Sequence, residues 1–333
     1  MGNLVYIVTF LSALLLSAVL VPLCMKAARK FGILDKPDRN LKKHKAPTPY
    51  LGGVAIFLSF FIVLFLQRLI VAGTLKGLNG IIIGGSLIFF LGLVDDIKKL
   101  QVWQKFLVQA VAAVILIVCH IQVQFLGNDI LNIIVTVLWV VGITNAFNLL
   151  DIMDGLSSGV AFIAAMAFFV IGMEGGKFFT SLASLALAGS VLGYWFYNFP
   201  PAKIFMGDAG SLFLGFTLAA LSITESYSFN NRFAVLTPIF LLGVPIFDTF
   251  FVMWLRLKQR RPVYFGSPDH FVLRLLRSGL SNKQIIAIVY CVCLVLSVLG
   301  FVSTRLSEPF SITLYSAIFL ISIYAANKLS KIG

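Results

Sequence analysis

Residues 130–156 read ILNIIVTVLWVVGITNAFNLLDIMDGL: an apolar run that closes on two amides, Asn145 and Asn148, and two carboxylates, Asp151 and Asp154. A helix needs roughly 20 mainly apolar residues to cross the hydrocarbon core of a bilayer, and this run has that length. The polar residues at its end therefore mark a spanning helix reaching a membrane edge. Comparable runs recur near 3–25, 51–72, 78–94, 103–122, 130–148, 157–173, 178–197, 209–225, 233–255, 284–302 and 310–327. About eleven transmembrane helices are predicted, giving an all-α, polytopic integral membrane protein. With 59% hydrophobic and 12% charged residues, the chain is far more apolar than an average soluble domain. The gaps between runs are short, so residues 1–333 read as one polytopic domain without a soluble module.

Orientation follows from the basic residues, because Lys and Arg concentrate in cytoplasmic loops. With the N-terminus outside, only Arg68, Lys76, Lys177, Arg232 and Arg305 of the 26 basic residues fall on the outer side. The net charge of +13 is then mostly this bias, together with attraction to anionic lipid or phosphate. Nucleic acid is not implied as a partner. The first run has no basic residue before Lys26 and no small-residue cleavage site, so it reads as a retained helix and not as a signal peptide. Cys24, Cys119, Cys291 and Cys293 lie in or beside the runs without the spacing of a zinc site.

Carboxylates at a membrane edge are expensive and point to function. Of 13 acidic residues, nine fall on the cytoplasmic side, all aspartates: Asp35, Asp38, Asp95, Asp96, Asp151, Asp154, Asp208, Asp248 and Asp269. Neutralising nearby Lys and Arg is the plain reading for Asp35 and Asp38. Asp95, Asp151, Asp208 and Asp248 instead sit at the cytoplasmic ends of four different runs, so folding can gather them at one depth. Adjacent Asp95 and Asp96 offer two hard oxygen ligands, or one ligand and one base. Asn145, Asn148, Asp151 and Asp154 are spaced by three, so a helix would carry them along one face over roughly 13 Å. In PPAKIFMGDAGSL, Gly207, Gly210 and Ser211 flank Asp208. Glycines there let backbone amides approach an anion while the carboxylate holds a cation; a turn followed by a helix cap is the competing reading.

Two basic stretches supply the opposite charge. Residues 31–53 carry Lys42, Lys43, His44 and Lys45, and residues 256–284 carry Arg256, Lys258, Arg260, Arg261, His270, Arg274 and Arg277. His270 and Arg274, four apart, can share a helical face. Carboxylates on a hard metal, with basic residues around them at a membrane edge, describe a site for two phosphorylated substrates, one soluble and one a lipid. Mg²⁺ commonly binds through one or two carboxylates plus substrate phosphates.

The segments DKPDRNLKKHKAPTPYLGG, LVDDIKKL, NAFNLLDIMDGL, FMGDAGSL, PIFDT and PDHFVLR follow one another over most of the chain. Together they resemble the polyprenyl-phosphate N-acetylhexosamine-1-phosphate transferases. The resemblance implies a multi-pass protein of a bacterial inner (plasma) membrane with a cytoplasmic active site. It implies an Mg²⁺ cofactor, with Mn²⁺ as a substitute, and transfer of a sugar-1-phosphate from a UDP-N-acetylhexosamine to polyprenyl phosphate such as undecaprenyl phosphate. UMP is released, in the first membrane step of cell-envelope glycan synthesis; a homodimer is a further expectation. Position by position, it makes Asp208 the metal ligand and Asp95, Asp96, Asp151 and Asp208 the catalytic set, with Asp95 favoured to contact or deprotonate the lipid phosphate. Lys45, Asn145, Asn148, Asp154, His270 and Arg274 become substrate-binding residues, Asp154 by orienting its neighbours.

Two departures from the family pattern carry expectations of their own. Ile152 stands where a glycine is common, so the backbone after Asp151 is expected to be more regularly helical. Val272 and Leu273 stand at histidine positions, so the sugar pocket is expected to be less polar and to favour a modified or deoxy N-acetylhexosamine, such as a 6-deoxy sugar, over plain N-acetylglucosamine. Two other classes fit parts of the sequence. A secondary transporter would place its carboxylates near the bilayer midplane in repeated halves, and no repeat is present. An intramembrane aspartyl protease needs two aspartates sharing a proton, which leaves the Asn-rich segment and the basic loops unexplained. Magnesium-dependent release of UMP separates the transferase from both.

Overall fold

The computed structural model describes residues 2–35, 47–70, 78–225, 227, 231–262 and 269–332. Apolar runs fold as helices because only intrasegment hydrogen bonds satisfy the backbone in lipid. By backbone packing the chain divides into two compact units, residues 1–225 and 226–333. The first unit holds α1 (Gly2–Phe31), α2 (Gly52–Ile70), α3 (Asn79–Lys98), α4 (Val102–Val118), α5 (Asp129–Leu150), α6 (Leu156–Glu174), α7 (Phe178–Asn198) and α8 (Gly207–Thr224). A two-residue antiparallel bridge pairs Leu34 with Pro49 and Asp35 with Thr48. The second unit holds a 3-10 turn (Arg232–Leu236), α9 (Thr237–Leu241), α10 (Gly243–Lys258), α11 (Phe271–Arg277), α12 (Asn282–Ser303) and α13 (Glu308–Ser330).

Among the described residues, nine helices are long and apolar enough to cross a membrane. The protein is an all-α, polytopic membrane protein. The predicted run 233–255 is not one straight helix: the segments 232–241 and 243–258 meet at 74°. Pro245 has no N–H to give to Leu241, so the hydrogen-bond ladder breaks where the chain bends. The predicted run 103–122 becomes the shorter apolar helix α4. Helix starts follow local chemistry: the Asn128 side chain accepts from Leu131 N–H at 3.1 Å, and Ser281 with Gln284 forms a capping box at α12.

Burial ranks the helices of the first unit. In α7 and α8, 78% and 83% of the apolar window is buried, against 22% in α1, so Asp208 sits on the most enclosed helix. Helix α1 lies directly on α7. A Cβ at Gly189 or Gly193 would overlap the carbonyl oxygens of Phe10 and Leu14, and Ser17 Oγ donates to the Ser190 carbonyl at 2.6 Å. Close approach of backbones through small residues is what holds helices together in lipid.

Glu225 ends α8 and is buried, with neither carboxylate oxygen hydrogen-bonded among the described residues. Burial pushes its carboxyl up to about 8, partly opposed by Lys177. The folded chain thus holds this proton at pH values where the unfolded chain has released it. The associated stability is full below the ordinary value of 4.5 and is lost as pH rises through about 8. Glu225→Gln should therefore raise the melting temperature near pH 9 and leave it little changed near pH 5. Equal melting shifts at both pH values would show that Glu225 is not the titrating group.

Candidate active site

Helix α5 stops at Leu150, and Asp151 is its C-cap. Residues 151–155 form a turn, with Asp151 N–H reaching back to the Asn148 carbonyl and Gly155, at φ +74°, leading into α6. The more regular helix expected beyond Asp151 is absent. A glycine at 155 in the left-handed region allows the reversal that a longer helix would forbid. Asn145 and Asn148 are therefore helical, while Asp151 and Asp154 belong to the turn.

The polar residues of four helices meet at Asp208. Asn148 Nδ2 donates to Asp208 Oδ1 and to Ser211 Oγ, both at 3.0 Å. Lys105 Nζ on α4 lies 2.8 Å from Asp208 Oδ2 and 2.7 Å from Asp95 Oδ2 on α3. Asp95 Oδ1 accepts from Leu100 N–H at 2.6 Å. Asp96, although adjacent, faces elsewhere: its oxygens accept from the backbone N–H groups of Asp208 and Ala209. Asp154 Oδ2 accepts from Ala202 N–H at 2.9 Å, holding the turn that precedes α8. The Asp151 carboxyl, at the end of α5, is raised to about 8 by burial and then by the charges of Asp208, Asp96 and Asp154. Burial and the carboxylates of Asp96, Asp208, Asp151 and Asp35 likewise push the Tyr50 phenol well above its ordinary value. Lys45 lies outside the described residues.

Lys105, Tyr50 and Gln109 are not among the residues singled out from the sequence. Lys105 is the sole charged residue of α4, and a lone charge within an apolar helix was the available signal. Gln109, one turn further on, forms a reciprocal amide pair with Asn145: Asn145 Nδ2 donates at 2.6 Å, and Gln109 Nε2 returns at 3.4 Å. Asn145 is thus spent on fixing α4 against α5, which sets Lys105 and Asn148 in register. Removing one amide strands the other, at a cost of about 1–3 kcal/mol. Gln109→Leu and Asn145→Leu should each destabilise by that order, and the double variant by less than their sum. Strict additivity in thermal unfolding would show that the pair carries no coupling.

In the second unit, His270 Nδ1 and Asp248 Oδ2 are 2.6 Å apart and both side chains are buried. Asp248 Oδ1 also accepts from Phe271 N–H at 3.1 Å. Arg274 pairs with Asp269 at 2.9 Å and donates to the carbonyls of Leu329, Ser330 and Ile332 at the end of α13. Val272 is completely buried and belongs to the core of this unit. The expected preference for a modified or deoxy sugar rests on Val272 and Leu273 together, and Leu273 is only partly buried.

Among the described residues, no three His, Cys, Asp or Glu side chains converge as a metal cage. Mg²⁺ does not require one, since one or two carboxylates and substrate phosphates suffice. Asp95 Oδ2 and Asp208 Oδ2 already share one cationic partner, the Lys105 ammonium. As a donor set, this pair of hard oxygens fits a divalent cation.

A multi-pass helical protein whose aspartates, lysine and amides gather at helix ends is matched by sequence as well as by chemistry. The chain belongs to glycosyl transferase family 4, which matches residues 78–226, and to its polyprenyl-phosphate N-acetylhexosamine-1-phosphate transferases. It is 34% identical to the probable undecaprenyl-phosphate N-acetylglucosaminyl 1-phosphate transferase of Bacillus subtilis, over 95% of this chain and 88% of that protein. It is 32% identical to the decaprenyl-phosphate N-acetylglucosaminephosphotransferase of Mycobacterium tuberculosis, over 81% and 75% respectively. Identity to the phospho-N-acetylmuramoyl-pentapeptide-transferase of Desulforudis audaxviator is 34%, over 88% and 95%.

Proposed function

We propose that this protein transfers N-acetylglucosamine 1-phosphate from UDP-N-acetylglucosamine to undecaprenyl phosphate, releasing UMP, on the cytoplasmic side of a bacterial inner membrane. The observation that carries the reading is the Asp95–Lys105–Asp208–Asn148 cluster, drawn from α3, α4, α8 and α5. The choice of sugar draws on the names of the Bacillus and Mycobacterium relatives. An outside N-terminus agrees with basic residues at the ends of α1 (Arg29, Lys30) and α3 (Lys98).

An oxygen of the lipid phosphate attacks the sugar-linked phosphorus of the UDP-sugar. The bond from that phosphorus to the bridging oxygen breaks, and UMP leaves with the electron pair. Mg²⁺, held by Asp208 with Asp95 beside it, would neutralise the charge that repels one phosphate from another. Lys105 adds a fixed positive charge at the same place, and Asn148 holds the Asp208 carboxylate in one orientation. Asp95 contacts or deprotonates the incoming lipid phosphate. Asp151 lies close enough to Asp208, Asp96 and Asp154 for their charges to raise its carboxyl, so it borders the same group of carboxylates. Positioning and charge neutralisation supply most of the acceleration.

The test is to incubate purified protein and undecaprenyl phosphate with UDP-N-acetylglucosamine, UDP-N-acetylgalactosamine, a 6-deoxy analogue and UDP-N-acetylmuramoyl-pentapeptide. Products are identified by mass. The expected outcome is one UMP per diphosphate-linked lipid, greatest with UDP-N-acetylglucosamine and dependent on Mg²⁺. Absence of any lipid-linked sugar would refute the reading. Stoichiometric UMP release without the lipid, accompanied by a sugar-phosphoryl aspartate, would refute direct displacement.

A further inference from the structure

Asp95 and Asp96 are neighbours in sequence, and as consecutive helical residues they point about 100° apart around α3. Asp95 turns to Lys105 and the Leu100 N–H. Asp96 turns to the first turn of α8, where its Oδ1 accepts from Asp208 N–H at 2.8 Å and its Oδ2 from Ala209 N–H at 3.1 Å. A helix start leaves its first N–H groups without intrahelical partners, and a side-chain oxygen at the N-cap usually takes them. The N-cap of α8 is Met206, which has no such oxygen and makes no side-chain cap. Asp96 supplies both acceptors from another helix.

The surrounding backbone is built around that contact. Gly207 has φ +71°, and a Cβ there would lie 2.5 Å from Asp96 Oδ2. Gly92, one turn before Asp96 on the same face of α3, lets the helix touch the Asp208 carbonyl and the Ala209 backbone, which a Cβ would overlap. Helix α3 therefore grips the start of α8 at two successive turns, Gly92 and Asp96. The residue whose backbone is gripped is Asp208.

We propose that Asp96 is a positioning residue: its carboxylate caps the start of α8 from α3 and thereby sets the Asp208 side chain. It holds no substrate, and both of its oxygens are committed to backbone donors. This rests on the transferase reading for its kinetic consequences, but the cap itself can be measured without turnover. The negative charge also lies against the positive end of the helix macrodipole, where an anion is favoured.

The experiment compares Asp96→Asn, Asp96→Ser and Asp96→Ala with the parent protein in detergent. Three quantities are read: Mn²⁺ affinity by electron paramagnetic resonance without substrates, kcat and KM for both substrates, and the pH–rate profile. Asparagine keeps one of the two acceptor oxygens at the same reach, serine keeps an oxygen one bond shorter, and alanine keeps none. A positioning role predicts graded kcat losses, with alanine and the shorter serine falling by about 100-fold, as for a misplaced reacting group, and asparagine, which keeps one acceptor, recovering roughly tenfold of it. KM values should stay within about threefold and the pH–rate profile should keep its shape. Mn²⁺ affinity should weaken in the same order as kcat. Loss of one limb of the pH–rate profile in Asp96→Asn, or an asparagine variant as dead as alanine, would make Asp96 a reacting group and overturn the proposal. Unchanged Mn²⁺ affinity in Asp96→Ala would also overturn it. If the parent releases no UMP at all, the transferase reading fails, while the Mn²⁺ series still decides the cap.

Discussion

Asp208→Asn should lower the transfer rate by roughly 1,000-fold or more while leaving the protein folded. Asn148 and Lys105 both address the carboxylate of Asp208, one through each oxygen. An amide keeps the shape and one acceptor, but it removes the charge that Lys105 and a divalent cation require. It also turns an NH₂ group toward either the Lys105 ammonium or the Asn148 amide, so one of the two contacts becomes repulsive. Size-exclusion behaviour and melting temperature should stay close to the parent, because α8 is held mainly by its buried apolar surface. The rate is measured as UMP release at saturating Mg²⁺. A variant within tenfold of the parent would remove Asp208 from the reaction.

Lys105→Met carries the next largest expectation, a loss of about 100- to 1,000-fold in kcat/KM. The ammonium is the link between Asp95 and Asp208, and all three side chains are mostly enclosed. Taking it away leaves two carboxylates facing each other, and breaking an enclosed ion pair on one side is strongly destabilising. The melting temperature should fall too. Arginine should not restore the rate, because a planar fork cannot occupy the place of a compact ammonium. The decisive comparison is Lys105→Met with Asp95→Asn in one chain. That double variant should regain much of the lost melting temperature, since the repulsion is gone, and none of the lost rate. Recovery of both would assign Lys105 to stability alone.

The membrane architecture was legible because its cause is local: a helix in lipid announces itself by length and composition. The break at 232–258 was visible in principle, since Pro238 and Pro245 interrupt the run, but hydropathy averages over single residues. Asp208 and Asn148 stood out as polar residues at run ends, and folding brings them into contact. Lys105 was overlooked because loop lysines follow one expected topological bias; its place as the lone charge of α4 and its partners Asp95 and Asp208 distinguish it from Lys98 and Lys99. The different tasks of Asp95 and Asp96 depend on the angle between consecutive helical residues and on which helix lies beside each. The Asp248–His270 contact joins residues 22 apart, one on α10 and one at the start of α11, and no spacing rule reaches that far. Arg274 was singled out by residue type and spacing, and its contacts with Asp269 and with the carbonyl end of α13 come from packing that no spacing rule gives.

The contact of α1 with α7 bears on how the protein is made. Roughly 150 residues separate the two helices, so at about 5–20 residues per second the ribosome needs on the order of 10–30 s to supply the partner. Until then α1 has only the smaller contact with α2 beside it, and its mean hydropathy of 2.6 with 22% burial suits it to that wait. Helix α7 is the reverse: its hydropathy is 1.4, and Thr180, Ser181, Ser184 and Ser190 lie along its buried surface. It emerges into a membrane where α1, with the Phe10 and Leu14 carbonyls that Gly189 and Gly193 will meet, is already present as a docking rail. The self-sufficient helix is thus synthesised first and the dependent one later, so an α1 deletion would be felt during insertion, as α7 left in the translocon or degraded, before any effect on the finished site.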